Sequence, residues 1–273
     1  MFQQRRTRNM LEATGATLAL VYHQTVYNIR SSHRNPVIGL VMTALQASIF
    51  VIIFLAMYTL IGVRTSPVRG DFLLYIMSGI FVYIIHVQTV GAVSGSHSIS
   101  SGVTKHEPLN AAVVIVAAAL STLYRQTISL SVILGGYYLL FQTYTIYMPL
   151  ALVGMFLFSW ALGCIVGLIF LGIQPWSPYA VGVLNTAYMR INMFASGKLF
   201  LANAMPGFLM PWFSWNPLFH LIDQTRGFMF INYTPMRTNL AYPFYVCIGL
   251  FMVGLLINFA TRKYESISWG ATR

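Results

Sequence analysis

The chain has 273 residues, of which 57% are hydrophobic and 8% charged, and its formal net charge is +11. Because a soluble globular domain carries about 25% charged residues, this composition excludes an ordinary water-exposed surface. Two long stretches, residues 35–63 and 126–189, contain no Asp, Glu, Lys or Arg. A helix crosses the hydrocarbon layer with about 20 apolar residues, so the predicted fold class is an all-α membrane protein.

Most of the basic residues fall at the ends of apolar segments, where positive charge marks the cytoplasmic side of a membrane protein. The side that holds both termini carries more of them, so we expect both termini in the cytoplasm and no nucleic-acid partner. The cysteines, Cys164 and Cys247, lie in apolar runs. We expect them to be packing residues and not a disulfide or a metal site.

The N-terminal segment 1–34 is predicted to be cytoplasmic and to stay in the mature protein. Within it, residues 11–29 bring Leu11, Leu18 and Tyr22 to one side of a helix, next to a more polar side. This pattern is typical of an amphipathic helix that lies in the membrane interface without crossing it.

A transmembrane domain, residues 35–262, follows this segment, and residues 263–273 form a short basic tail that we assign to the cytoplasm. Apolar runs of sufficient length, separated by turn-forming residues, predict six spans in the domain. The predicted spans are residues 36–63, 72–91, 111–141, 148–173, 178–203 and 241–261.

Two segments between the spans differ from simple turns. Residues 94–110 are polar and rich in Gly and Ser, and predict a cytoplasmic loop with a short helix. Residues 204–240 are apolar but interrupted by four prolines. They predict two short re-entrant helices on the outer side, before the last span.

The residues required for membrane-embedded catalysis are missing from this pattern. Ser94 and His97 have no third group to orient the histidine, and the scattered histidines suggest no metal site, so His86 is interpreted as a pore or packing residue. The only Gly-Lys pair, Gly197-Lys198, lacks the rest of a phosphate-binding loop. We therefore expect a chain that is not an enzyme and binds no cofactor itself.

Arg125 and Arg190 fall well inside predicted spans, where a guanidinium is costly unless it meets water, a partner or an anion. Both could line a path for an anionic substrate. The alternatives are that Arg125 extends to the cytoplasmic headgroups, and that Arg190 bonds to backbone carbonyls or to a neighbouring subunit.

Aromatic residues gather beside the predicted outer surface, where they could form an interfacial belt or offer flat faces to sugar rings. The residues of this group proposed for the substrate path are Trp212, Phe213, Trp215 and Tyr233. Glycines spaced four apart, Gly91 with Gly95 and Gly163 with Gly167, suggest close approach between helices.

Asn216-Pro217 fits a helix N-cap followed by proline in the first turn, and His220, Asp223 and Arg226 then share one side of the helix. A polar side among apolar neighbours predicts that it faces a partner, a gate or water.

Residues 215–226, Trp-Asn-Pro-Leu-Phe-His-Leu-Ile-Asp-Gln-Thr-Arg, resemble the W-N-P-h-x-H-h-h-[DE]-x-x-R motif of type-2 ABC exporter permeases, above all the capsule and O-antigen polysaccharide branch. The order of elements along the chain is also similar to that family. The resemblance implies a homodimer in the bacterial inner membrane that works with two copies of an ABC ATPase subunit, which holds ATP and magnesium.

In that family a lipid-linked polysaccharide crosses between the two membrane subunits, and periplasmic and outer-membrane export proteins take it further. The resemblance implies that the short outer helices act as a gate and that the 94–110 segment couples to the ATPase. The gate residues would be Asn216, Pro217, His220, Asp223 and Arg226, and the coupling residues Lys105, His106, Glu107 and Pro108. An exporter of drugs or lipids, and a membrane-embedded enzyme or assembly factor, remain alternatives.

Overall fold

The computed structural model describes residues 10–31, 35–60, 62, 68, 70–96, 111–141 and 146–271, and every regular element in these ranges is a helix. The predicted all-α class is therefore confirmed. The helices are α1 (Met10–Ser31), α2 (Pro36–Leu60), α3 (Phe72–Ser94), α4 (Ala111–Phe141), α5 (Pro149–Ile173), α6 (Pro178–Ala195), α7 (Met210–Ser214), α8 (Pro217–Met229) and α9 (Ala241–Ala271).

Within the described residues, five helices are long and apolar enough to cross a membrane. They are α2, α3, α4, α5 and α9, and their bounds agree with the predicted spans to within a few residues. The predicted turn between spans four and five is also present, and Pro178 opens α6 after Ser177, whose hydroxyl accepts a bond from the amide of Ala180. The chain is a multi-pass helical membrane protein.

The predicted fifth span, residues 178–203, differs from the structure. Helix α6 ends at Ala195 after 18 residues, which at 1.5 Å each cover about 27 Å and fall just short of the roughly 30 Å hydrocarbon core. Asn185, Arg190 and Asn192 also lower its hydropathy, and α6 is not among the five candidate spans. Gly197 then adopts a left-handed backbone, with φ of 71°, which ends the helix.

Helix α3 lies at the centre of the fold. In its most apolar window 83% of the residues are buried, against 22% in α2 and 17% in α9. It contacts α2, α4, α5, α6 and α8, whereas α2 and α9 lie at the periphery. The surfaces of α2 and α9 that face away from the chain are apolar, as expected of helices in contact with lipid or with another subunit.

Glycines allow α5 to approach α3 closely. A side chain at Gly163 would come within 2.8 Å of the carbonyl oxygen of His86, and one at Gly167 within 2.7 Å of Val93. The Ser159 hydroxyl donates a 2.7 Å bond to the carbonyl of Val82 across the same contact. The predicted role of the Gly163 and Gly167 pair is confirmed, and His86, with 0% exposure, is a packing residue.

The structure also tests the predictions for the first helix, for the last helix and for the segment before the last helix. Helix α1 is present as predicted and packs along α4. Helix α9 continues to Ala271 without a break, so residues 263–271 prolong the last helix, where the prediction placed a tail after its end. The predicted short helices of 204–240 are present as α7 and α8.

Candidate functional site

The 215–226 motif forms the start and body of α8. Asn216 caps the helix, because its Oδ1 accepts a 3.0 Å bond from the amide of Leu218, and Pro217 follows in the first turn. The predicted N-cap is therefore confirmed. The Asn216 Nδ2 group donates to Asn192 Oδ1 at 2.9 Å and to the carbonyl of Ala195 at 3.0 Å, which fixes α8 to the last turn of α6.

His220 joins three stretches of chain. Its Nε2 lies 2.9 Å from the carbonyl of Ser214, and the amide of Asn239 donates to its Nδ1 at 3.2 Å. Because a carbonyl can only accept, this arrangement requires the ring proton on Nε2. The ring also lies 4.8 Å from that of Tyr242. His220 thus holds the α7–α8 turn and the start of α9 together.

Asp223 is 1% exposed and has three hydrogen-bond donors around its carboxylate. Oδ1 accepts from the hydroxyl of Tyr233 at 2.6 Å and from the amide of Ala202 at 3.3 Å, and Oδ2 accepts from the hydroxyl of Thr238 at 2.8 Å. Burial, and then the bond to this carboxylate, raise the pKa of Tyr233. Asp223 therefore forms hydrogen bonds from α8 to the segment before it, at Ala202, and to the segment after it, at Tyr233 and Thr238.

Arg226 has 0% exposure, and its guanidinium bonds to a single turn of chain after α6. Nη1 donates to the carbonyls of Gly197 at 3.1 Å and Phe200 at 2.6 Å, and Nη2 donates to that of Lys198 at 2.6 Å. Its central carbon lies 4.5 Å from the centre of the Tyr75 ring on α3. The guanidinium thus bonds to the carbonyls of a non-helical turn, of which only that of Gly197 also accepts a backbone bond within the turn, from the amide of Phe200 at 3.3 Å.

The polar side of α8 was predicted to face a partner, a gate or water, and in the structure it faces other segments of the same chain. His220, Asp223 and Arg226 are all buried and bonded internally. The physical reason is that the irregular segments on either side of α8 have backbone groups that cannot bond within a helix, and in an apolar setting polar side chains must satisfy them.

The aromatic residues predicted for the substrate path separate into two sets. Trp212 and Trp215 are 73% and 54% exposed. Phe213 packs edge-to-face on Phe200, with ring centres 5.0 Å apart, and Tyr233 is buried on Asp223. Of these four, the two tryptophans are the most exposed and are placed to meet lipid or a sugar.

Arg190 lies on the surface of α6, in an open groove of about 560 Å3. Pro178, Tyr179, Gly182 and Thr186 line this groove with it, and Arg125 does not. Arg125 is partly buried on α4. The two predicted path arginines thus stand in different surroundings. The predicted coupling residues, Lys105, His106, Glu107 and Pro108, lie outside the described part of the chain.

Lys198, in the turn after α6, is a buried cation. It is 2% exposed, and its Nζ lies 3.3 Å from the centre of the Tyr83 ring and 5.1 Å from that of Phe54. Nζ has no hydrogen bond to any described residue. Its position in an apolar sequence was the signal that could have marked it.

A comparison with models of known protein families gives no match, and a search of curated proteins gives none either. The helices and their hydropathy define a multi-pass membrane protein.

Proposed function

We propose that this chain is the membrane subunit of an ATP-driven exporter, in which two copies form the path for an acidic, lipid-linked polysaccharide. The resemblance of residues 215–226 to the permease motif supports the class of protein. The charge and exposure of α6 support the path and its substrate.

The observation that carries the proposal is the uncovered side of α6. Tyr179 is 85% exposed, Val183 52% and Phe194 65%, and the helix makes few contacts with the helices next to it. Arg190 lies among these residues and is itself exposed. A guanidinium on an apolar surface within a membrane is costly, so this side is expected to face water, a second copy or an anion.

A path between two copies would bring this side of α6 into contact with water, with a second copy and with an anion. It covers the apolar residues of α6 with the same surface of a partner, as two-fold symmetry requires. It also hydrates the arginines of both copies and lets them attract a negatively charged glycan. In this arrangement α6 acts as the fifth of six spans, and both termini lie in the cytoplasm of a bacterial inner membrane.

Energy comes from a separate ATPase subunit, present in two copies, that holds ATP and magnesium. Its docking site is the segment around Lys105, His106, Glu107 and Pro108. Closure of the ATPase pair moves the membrane helices and opens the path, and the α7–α8 region closes it on the outer side. The buried motif of α8 gives this gate its stiffness, and the exposed Trp212 and Trp215 offer ring faces to the sugar.

The test replaces Arg190 in the native host and measures surface polysaccharide at equal levels of membrane-inserted protein. Loss of a charged contact corresponds to about 1.5–3 kcal/mol, so Arg190→Ala should lower export about tenfold or more. Arg190→Lys should keep much of it, and Thr186→Ala, an uncharged change in the same groove, should have no effect.

Normal export by a well-expressed Arg190→Ala variant would remove the arginine from the path. A change in drug or lipid efflux with surface glycan unaltered would instead identify the second class of exporter. Purification in mild detergent without any nucleotide-binding subunit would favour the membrane-embedded enzyme or assembly factor.

A further inference from the structure

A second groove, of about 650 Å3, lies between α1, α2 and α4 and is separate from the α6 surface. Its volume falls in the roughly 300–1,000 Å3 range of ligand pockets. The walls are apolar, and are formed by Val26 and Ile29 of α1, Leu40 of α2, and Leu120 and Leu123 of α4. Such walls suit a hydrocarbon chain.

A cation also lines the groove. Arg30, in the last turn of α1, is exposed and lines the groove. None of the described acidic residues forms an ion pair with it. Tyr22 and Tyr124, which are 65% and 50% exposed, also line the groove, and neither hydroxyl bonds to another described residue. A guanidinium and a phenol hydroxyl are suitable donors for a phosphate.

The depth of the groove matches the position of a lipid headgroup. The candidate span of α2 begins at Val37, and Leu40 is therefore about one turn inside it. Arg30 precedes the start of this span by seven positions in the sequence. The apolar wall on α2 thus begins about where the hydrocarbon begins, and Arg30 stands on its headgroup side. On α4, Tyr124 lies 13 positions inside the candidate span that begins at Ala111, one turn beyond Leu120.

We propose that this groove is a binding site for an anionic phospholipid of the leaflet in which α1 lies. The phosphate is bound by Arg30 with the hydroxyl of Tyr22, and one acyl chain follows the walls formed by α1, α2 and α4 past Tyr124. An uncompensated arginine in a pocket between helices selects an anionic headgroup over a zwitterionic one. A bound lipid would also join α1 to the transmembrane domain, on the side of α1 that has no protein contacts among the described residues. This inference does not depend on the proposed export function.

The test uses the purified full chain in nanodiscs that mix phosphatidylglycerol with phosphatidylcholine, and native mass spectrometry counts the lipids each chain retains. The wild-type chain should retain phosphatidylglycerol in preference. Arg30→Gln should lower that preference about tenfold, the equivalent of one lost charge-assisted bond, and Arg30→Lys should restore part of it. Leu123→Trp, which fills the groove without changing charge, should also lower it.

The matched control is Leu139→Trp, which adds the same ring to a 78% exposed position of the same helix, outside the groove. It should leave the preference unchanged. Equal retention of both lipids by the wild-type chain, or an unchanged preference in Arg30→Gln, would overturn the proposal. So would an equal loss in the two tryptophan variants, or exclusive retention of a polyprenyl phosphate carried over from the source membrane.

Discussion

The side-chain amide of Asn216 donates a 2.9 Å hydrogen bond to Oδ1 of Asn192, and so joins the first residue of the α8 cap to the last turn of α6. Asn192 in turn donates to the carbonyl of Tyr188 at 3.0 Å, which fixes the orientation of its amide. Arg190 stands two residues before Asn192. The motif helix and the helix with the proposed substrate contact therefore belong to one hydrogen-bonded unit.

Asn216 has two separable roles, as a cap for α8 and as a donor to α6. Asn216→Ser keeps an oxygen that can cap but loses both donors, whereas Asn216→Ala loses the cap as well. We expect Ala to cost about 1 kcal/mol more than Ser, the usual contribution of an N-cap. The measurement is the thermal unfolding midpoint in detergent. Equal midpoints for the two variants would show that the cap bond contributes nothing.

The hydrogen bond that Asn216 donates to Asn192 is tested by a double-mutant cycle that combines Asn216→Ala with Asn192→Ala. Residues in direct hydrogen-bond contact couple by about 0.5–3 kcal/mol, and we expect a value in this range. Additive effects of the two substitutions would contradict the bond between α6 and α8.

Arg226→Lys should destabilise the fold severely although it keeps the charge. Lysine cannot reach the three carbonyls with the fixed geometry of a guanidinium, and its ammonium would be buried with carbonyls left unpaired. We expect a loss of about 3–5 kcal/mol, the usual cost of breaking a buried charged network, seen as poor yield of folded protein by size-exclusion chromatography. Arg190→Lys, at an exposed position, is the matched control and should behave as wild type. Normal folding of Arg226→Lys would mean that the three carbonyls do not depend on the guanidinium.

Gly163→Ala should destabilise the contact between α3 and α5, because the added methyl would lie 2.8 Å from the carbonyl oxygen of His86. Overpacking of this kind costs about 1–3 kcal/mol. Gly154→Ala, on the same helix, meets nothing within 4 Å and should be neutral or slightly stabilising. Thermal unfolding of the two variants side by side checks the prediction, and similar midpoints would contradict the close approach.

Tyr233→Phe should change how stability depends on alkaline pH. The folded chain raises the pKa of Tyr233 above its ordinary value of about 10, so the unfolded chain loses this proton first. The contribution to stability is complete below about pH 10 and falls as the pH rises further. At neutral pH, Phe should cost about 1–3 kcal/mol, because the Asp223 carboxylate loses a donor.

The difference in unfolding midpoint between wild type and Tyr233→Phe should therefore be smaller at about pH 11 than at about pH 8, with the narrowing confined to pH values above about 10. Wild type and variant share all the other tyrosines, so the contributions of those residues to the pH dependence cancel in the difference. A constant difference across this range would show that the hydroxyl does not donate to a charged carboxylate.

Lys198→Met should leave stability unchanged or raise it. A desolvated cation over an aromatic ring gains about 2 kcal/mol, whereas burying an ammonium without a hydrogen-bond partner costs several kcal/mol. Methionine keeps the volume and removes the charge. Lys198→Ala, by contrast, leaves a cavity and should cost about 2–5 kcal/mol. If Met destabilised as much as Ala in thermal unfolding, the ring of Tyr83 would be stabilising the charge by more than its burial costs.

The spans whose ends depend on local chemistry were predictable from the sequence. Helix α4 begins at Ala111 and α5 at Pro149, because apolar runs start there and proline suits a first turn. The end of α6 was predictable only in part. Gly197 is a local signal for a helix end, but Leu199, Phe200 and Leu201 continue the apolar run. The turn after Gly197 is held by Arg226, which lies 26 to 29 positions along the chain from the carbonyls it binds.

For the candidate site, too, the local features were predictable from the sequence and the long-range contacts were not. The cap at Asn216 follows from Asn-Pro alone, since capping involves neighbours in the sequence. Helical spacing also shows that His220, Asp223 and Arg226 share a side, but not which way that side faces. Its direction depends on unpaired carbonyls and amides from distant segments. Tyr75, whose ring lies under the guanidinium of Arg226, carries no sequence signal at all.

The turn at residues 197–200 has a consequence for how the chain is made. Its carbonyls bond to Arg226 and, at Leu199, to the hydroxyl of Tyr58. Tyr58 is synthesised before the turn, but Arg226 leaves the ribosome only after it. The carbonyl of Gly197 also accepts a local bond from the amide of Phe200, but until Arg226 is made the carbonyl oxygens of Lys198 and Phe200 must remain hydrated or be held by the insertion machinery. This turn therefore reaches its final structure late in biogenesis, after α8 has been synthesised.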